Sequence, residues 1–92
     1  MPKLATYRFF TFFIFSFDAL NEPPHVHIVK EKSKRQKSAK VWLHDLYVVQ
    51  RGTLTDIEIH KTLQIIKENR ELFMKQFIKV SQGKKVKTIR IK

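Results

Sequence analysis

The feature that most constrains this chain is a long apolar stripe that begins at a well-marked helix start. Thr55 and Glu58 have the spacing of a capping box, in which each side chain accepts a hydrogen bond from the other residue's backbone N–H. Beyond this box, apolar residues recur at steps of three and four, as on one face of a helix. They are Ile59, Leu63, Ile66, Phe73, Phe77 and Val80. We therefore predict a helix from residue 55 to about residue 79, whose apolar face needs an apolar sheet surface to cover.

Two features near the end of the stripe leave alternatives open. Asn69 can cap a second helix, so the pattern is compatible with one helix or with a kink or break at this residue. Gly83 provides a stop, and residues 86–91 alternate in the manner of an edge strand. The same segment is also compatible with a basic tail that becomes ordered only on binding.

Ahead of the helix, residues 7–17 carry aromatic or β-branched side chains on both alternating faces. This composition is typical of a strand that is covered on both sides. A turn cluster follows at residues 18–24, where Pro23 and Pro24 each fix their own φ and disfavour helix at the preceding residue. We predict one strand over residues 7–17 and a reversal of the chain after it.

Two further strands are predicted at residues 25–30 (HVHIVK) and 39–44 (AKVWLH). The segment between them, residues 31–38, has no apolar side chain and indicates a solvated hairpin loop. Residues 46–49 are compatible with a fourth short strand. The predicted fold is α+β: a small antiparallel sheet of three to four strands, packed on one face by a long C-terminal helix, straight or kinked, with a basic tail or edge strand after it.

With 92 residues, the chain is long enough for one hydrophobic core and hardly for two. We predict a single domain over residues 1–92, with a core at about residues 7–80 and a basic extension at residues 81–92. The chain has no cysteine, which removes disulfides and thiolate ligands and suits a reducing cytoplasm. The apolar segment at residues 9–17 is short and interrupted by polar residues, so we expect neither a targeting signal nor a membrane anchor.

Side-chain alternation in the central hairpin predicts which residues share a face. The helix needs an apolar sheet face, which Val26 and Ile28 provide on one strand of the hairpin. On the other strand, Val41 and Leu43 provide it. The opposite face, turned away from the helix, then collects His25, His27, Lys40, Trp42 and His44.

This second face combines the groups that act on a nucleic acid. His25 and His27 can serve as general acid and base, because imidazole titrates near neutrality. Lys40 can neutralise a phosphate, and Trp42 can stack on a base. A metal-independent ribonuclease that uses a 2′-hydroxyl as its nucleophile can be built from these parts. The alternatives are a structural or partner-contacting histidine pair and a tryptophan that belongs to the core.

As a metal site, the histidine pair is incomplete, since zinc usually takes three or four protein ligands. His44, His60 or Glu22 would have to complete the set. We therefore predict no metal and no cofactor from the sequence, and keep a metal-dependent hydrolase as the second alternative function.

The charge of the chain predicts a negatively charged partner. Nineteen Lys and Arg residues against eight Asp and Glu residues give a formal net charge of +11. A basic run at residues 30–40 and another at residues 84–92 hold eleven of these cations, with Glu31 as the single acid among them. The residues that we expect to bind nucleic acid are Lys32, Lys34, Arg35, Lys37, Lys40, Trp42, Lys84, Lys85, Lys87 and Arg90.

Several short motifs carry a resemblance to a known family. They are residues 22–27 (EPPHVH), residues 39–43 (AKVWL), Gly52 and residues 68–70 (ENR). Over about residues 7–77 the chain resembles the small bacterial domain-of-unknown-function family 4160, which has a Pro-His-Val-His signature. The resemblance implies that four residues are family features: His25, His27, Lys40 and Trp42. It also implies a toxin-antitoxin-like role, because members are often encoded beside another small protein.

The first function hypothesis is a small nucleic-acid-binding protein that acts on RNA, as the toxin half of a toxin-antitoxin-like pair. In the alternative from a different class, the His and Trp face is an interaction module that docks a small, acidic, neighbour-encoded protein. The lysine-rich loop and the basic extension after Val80 depart from typical members of the family. A function that depends on charge is thus expected to be peculiar to this chain.

Overall fold

The computed structural model describes residues 2–30 and 37–92, and this part of the chain contains six strands and three helices. The strands form one sheet in the order β5-β4-β3-β2-β1-β6. All neighbouring strands are antiparallel except β1 and β6, which are parallel. The elements are β1 (Lys3–Tyr7), β2 (Phe10–Phe13), α1 (Asp18–Asn21), β3 (His25–Lys30), β4 (Ala39–Trp42), β5 (Val48–Gln50), α2 (Asp56–Glu68), α3 (Arg70–Ser81) and β6 (Ile89–Arg90). The α+β class is confirmed, but the predicted sheet of three to four strands is too small.

The first two strands form a hairpin with a two-residue turn at Arg8 and Phe9. Arg8 has a φ of 51°, in the left-handed region that non-glycine residues seldom adopt. The prediction of a single strand over residues 7–17 is therefore wrong, and the chain leaves the sheet after Phe13. No glycine, asparagine or proline marks this turn, so the composition of the segment gave no sign of it.

β3 and β4 form the antiparallel hairpin that the sequence predicts, and the structure fixes its register. His25 lies opposite Trp42, and Val26 lies opposite Val41. His27 follows in register opposite Lys40. His25 and His27 therefore share a face with Lys40 and Trp42, and Val26 shares the other face with Val41, as the alternation predicts.

The boundaries around this hairpin differ in detail from the sequence-based expectation. β4 ends two residues earlier than predicted, and the fourth strand is present at Val48–Gln50 instead of residues 46–49. Leu46, with a φ of 58°, belongs to the turn between β4 and β5. Of the predicted loop at residues 31–38, residues 31–36 lie outside the described residues.

The single long helix is two helices that meet at Asn69. The backbone of Asn69 has φ −119° and ψ 27°, outside the helical region, and its side-chain amide donates to the Ile65 carbonyl at 2.9 Å. The helix start is confirmed, because the Thr55 hydroxyl accepts from the Glu58 N–H at 3.2 Å and Glu58 accepts from the Thr55 N–H at 2.9 Å. Among the described residues, no helix is long and apolar enough to cross a membrane.

The hydrophobic core lies between the predicted apolar sheet face and the two long helices. Val26, Ile28, Val41 and Leu43 are all fully buried. Phe12 of β2 joins them and packs against Phe73 of α3, with ring centroids 5.0 Å apart. Other buried members of the core include Leu4, Ile14, Leu54, Ile65, Ile66, Phe77 and Val80.

The end of the chain returns to the sheet as an edge strand. β6 pairs with β1, and the buried side chain of Gln76 donates to the carbonyl of Leu4 at 3.1 Å and to that of Lys87 at 2.8 Å. Gln76 thus connects α3 to both β1 and the basic segment before β6. This arrangement resolves the alternative between an edge strand and a tail in favour of the edge strand, at Ile89–Arg90.

Candidate functional site

The histidine face of the sheet is covered, which the sequence did not predict. His25 is 0% exposed and His27 is 7% exposed. His25 packs against Phe77 of α3, with ring centroids 5.5 Å apart. The prediction that both imidazoles lie on a surface turned away from the helices is therefore wrong. The reason is that α3 also packs against α1, beside the beginning of β3.

His27 is enclosed by the end of β2 and the segment that follows it. Phe13 stacks on its ring at 5.3 Å, and Phe15 meets the ring edge-on at 4.9 Å. The His25 and His27 rings are 5.3 Å apart. These aromatic rings cover one side of the imidazole pair. Asp18 of α1 approaches the Nε2 atoms of both rings.

The carboxylate of Asp18 approaches both imidazoles. Asp18 is the first residue of α1, in the chain reversal between β2 and β3. Its Oδ2 atom lies 4.0 Å from His25 Nε2 and 3.8 Å from His27 Nε2. The three donor atoms all lie within 4.8 Å of one another. Asp18, His25 and His27 are called the Asp-His-His cluster below.

Hydrogen bonds at the far side of each ring orient the imidazoles. His25 Nδ1 lies 3.0 Å from the Pro23 carbonyl, and because a carbonyl only accepts, Nδ1 carries the proton. In the neutral ring this leaves a lone pair on Nε2, directed at Asp18. His27 Nδ1 is 3.2 Å from the Ser38 hydroxyl, which can donate or accept.

Neither Nε2 atom has a hydrogen-bond partner among the described residues, although both are buried. The pKa of His27 is lowered to about 4, mainly by burial and to a smaller extent by the electrostatic effects of His25 and Lys40, against which Glu22 acts. His27 is therefore neutral at pH 7. Two buried, unpartnered imidazole nitrogens facing one carboxylate are unusual, because buried polar atoms are nearly always paired.

Lys40 and Trp42 lie at the rim of the Asp-His-His cluster. The Lys40 ammonium binds the Glu22 carboxylate and lies 4.9 Å from the centre of the Trp42 ring. The hydrogen bond from Lys40 lowers the pKa of Glu22. Trp42 is half-buried and its ring meets that of His25 edge-on at 5.8 Å. Lys40 is thus already neutralised by a carboxylate within the fold.

Of the other candidate ligands named from the sequence, Glu22 lies beside the cluster but is paired with Lys40, and the two histidines lie elsewhere. His44 is beyond the end of β4, where it is exposed and 3.4 Å from the Asp45 carboxylate. His60 is exposed on α2. The prediction that His44 shares the histidine face is wrong, because β4 ends at Trp42. The residue that completes the cluster is Asp18, which the sequence analysis placed only in a turn; its position ahead of two prolines and the His-Val-His strand was the available signal.

The predicted nucleic-acid-binding residues that the structure describes lie in β4, just before it and in the C-terminal segment. Lys32, Lys34 and Arg35 lie outside the described residues. Lys37 is exposed at the start of the described segment before β4. The others in the C-terminal segment are also exposed: Lys84, Lys85, Lys87 and Arg90.

A basic surface that the sequence analysis missed lies between α2, α3 and β6. Two adjoining grooves share Glu68, Asn69, Leu72 and Ile89 in their walls. Seven exposed cations line them, against the carboxylates of Glu68 and Glu71. These cations, called the basic groove below, are Lys61, Lys67, Arg70, Lys75, Lys79, Arg90 and Lys92. Only Arg90 was among the predicted binding residues, because the helical cations are spread along the sequence and meet only in the fold.

Comparison with known proteins identifies a family and no individual relative. No curated protein and no solved structure matches the chain. A family model described as a domain of unknown function, DUF4160, matches residues 10–77. This match contains β2, the Asp-His-His cluster, the central hairpin and most of both long helices. The chain therefore belongs to the DUF4160 family.

Proposed function

We propose that this protein binds RNA through the phosphate backbone, at the basic groove. The observation that supports the proposal is the gathering of seven exposed cations around one concave surface with only two carboxylates. A cleft with a large excess of positive charge concentrates anions, and a nucleic acid presents them as a regular row of phosphates. The formal net charge of +11 strengthens this field over the whole molecule.

The distribution of ion pairs also favours the basic groove as the binding surface. Three cations outside the groove are held by acids within the described part of the chain: Lys30 by Glu58, Lys40 by Glu22 and Arg51 by Asp56. None of the seven groove cations has an ion-pair partner among the described residues. Their charge is therefore available to an external anion.

Binding to phosphates requires a steep dependence on salt, because each neutralised phosphate releases counterions. The test is fluorescence anisotropy of a labelled single-stranded RNA at several salt concentrations. We compare the wild type with Lys75→Gln/Lys79→Gln. The slope of log K against log salt should fall by about 0.7 for each lost phosphate contact.

The matched control is Lys30→Gln/Arg51→Gln, which removes two positive charges outside the groove. Both double variants have the same net charge, so a global effect of charge would change them equally. The proposal requires a smaller slope and weaker binding in the groove variant only. Equal slopes in the two variants would contradict it.

Competition experiments distinguish RNA from an acidic protein as the polyanion that binds the basic groove. We expect unlabelled RNA to displace the probe at lower concentration than polyglutamate. Displacement by polyglutamate at the same charge concentration would contradict an RNA function and favour an acidic partner protein, such as a neighbour-encoded one. Duplex DNA serves as a third competitor, to separate RNA from nucleic acid in general.

A further inference from the structure

We propose that the Asp-His-His cluster binds one divalent transition-metal ion, with zinc as the expected ion. The proposal is independent of RNA binding, because no residue of this cluster lines the basic groove. It rests on three donor atoms that converge, on two buried nitrogens without partners, and on the hydrogen bonds that orient them.

The spacing of the donors is close to that of a metal site. In a tetrahedral zinc site with bonds of about 2.0–2.2 Å, neighbouring ligand atoms are roughly 3.3 Å apart. Asp18 Oδ2 lies 4.0 Å and 3.8 Å from the two Nε2 atoms. These distances exceed the zinc-site spacing, so binding of an ion would draw the carboxylate and the two imidazoles closer together.

Both imidazoles present the free nitrogen that a metal requires. A ligating histidine typically bonds through its other ring nitrogen to a carbonyl or a similar group, which fixes its orientation. His25 has this arrangement with Pro23, and His27 with Ser38. Their Nε2 atoms are buried and otherwise unpartnered within the described part of the chain, as expected of nitrogens whose partner is an ion.

The type of ligand selects the class of metal. Two imidazoles and one carboxylate suit zinc, iron, nickel or copper, whereas magnesium and calcium prefer oxygen ligands alone. Aromatic rings of Phe13, Phe15 and Phe77 pack against the imidazoles and make their surroundings apolar. Three protein ligands leave one coordination position for a water molecule or another small ligand.

A bound ion would join α1 to β3, and therefore stabilise the folded protein. The primary test is zinc binding to the tag-free protein by isothermal titration calorimetry, with metal content measured after dialysis. We expect one zinc ion per chain and a melting temperature that rises with zinc concentration but not with magnesium. Absence of both binding and thermal shift would overturn the proposal.

Two sets of variants make the test specific. Asp18→Asn keeps the size of the side chain and should weaken zinc binding at least about tenfold, with the fold checked by circular dichroism. The control is His44→Ala/Asp45→Asn, because His44 and Asp45 form an exposed pair of the same residue types. Unchanged binding in Asp18→Asn, or loss of binding in the control, would refute the assignment.

Replacing zinc by Co²⁺ adds a spectroscopic readout, which reports the coordination of the ion and not only the stability of the protein. Co²⁺ in a four-coordinate site with nitrogen and oxygen ligands absorbs visibly in its d–d bands, whereas hexa-aqua Co²⁺ absorbs weakly. The wild type and the His44→Ala/Asp45→Asn control should show the intense spectrum, and His27→Ala should lose it. The spectrum of the free ion in the folded wild type would count against the site.

Discussion

Gly52 combines a left-handed backbone conformation with a close approach to the backbone of another segment. Its φ is 65°, and a Cβ atom there would lie 2.4 Å from the carbonyl oxygen of Lys37. Gly83 has a similar φ of 76°, but nothing lies within 4 Å of its Cβ position. The two glycines therefore separate the effect of backbone strain from the effect of contact.

Gly52→Ala should destabilise the protein more than Gly83→Ala. Placing a non-glycine residue in the left-handed region costs about 1–2 kcal/mol, and Gly83→Ala should show this cost alone. Gly52→Ala should lose more, because the segment before β4 must also move. Urea unfolding of both variants measures the difference, and equal losses of stability would contradict the described approach of the two backbones.

For individual residues, the sequence predicts which side chains of β3 share a face, but not what surrounds the two imidazoles. Alternation alone places His25 and His27 on one face, since it depends only on local geometry. The approach of Asp18 depends on how seven residues of turn and short helix bring the chain back. Such a path has no signature in composition, and only the position of Asp18 ahead of two prolines and the His-Val-His strand pointed to it.

Among the secondary structure elements, α2 is connected to the sheet through Glu58, the partner of Thr55 in the capping box. The Glu58 carboxylate accepts from the Thr55 backbone N–H and also lies 3.1 Å from the Lys30 ammonium at the end of β3. The hydrogen bond from the Thr55 backbone N–H, and then the bond from Lys30, lower the pKa of Glu58. Its charged form is thus favoured in the folded state.

The free energy of unfolding of the Glu58→Gln variant should therefore depend less on pH than that of the wild type. A lowered pKa contributes stability above the unfolded value of about 4.3, and this contribution is lost as pH falls through the folded value. At pH 7 the variant should be less stable than the wild type by about 0.2–1 kcal/mol, the range of a surface ion pair. Urea unfolding at pH 7 and pH 3 measures this gap.

The gap should shrink at pH 3, because protonated glutamate and glutamine carry the same charge. A gap that is equal at both values of pH would contradict the role of the charged form. Glu71→Gln serves as the control, since Glu71 has no ion pair within the described part of the chain. It should differ less from the wild type at pH 7.

The elements differ in how far the sequence predicts them. The start of α2 was predictable because the capping box is a local pattern, and the break at Asn69 was left open because an apolar stripe continues across it. The hairpin of β1 and β2 was missed, since its turn uses Arg8 and Phe9 instead of residues that favour a turn.

At the scale of the whole molecule, the sheet is larger than the sequence predicts because the predicted first strand is two strands and because β6 pairs with a strand that is distant in sequence. β6 has two residues and joins β1 from the opposite end of the chain. No pattern within two residues predicts such a partner. The same long-range packing creates the basic groove, whose cations come from three separate elements.

This arrangement places the charged surface and the Asp-His-His cluster in separate parts of the fold. RNA in the basic groove is expected to contact α2, α3 and β6, and not the buried imidazoles. The most direct test of this account is a titration of ¹⁵N-labelled protein with single-stranded RNA, followed by NMR. We predict amide shifts concentrated at residues 61–79 and 89–92, with little change at residues 18–27. Shifts centred on residues 18–27, or no shifts at low salt, would contradict it.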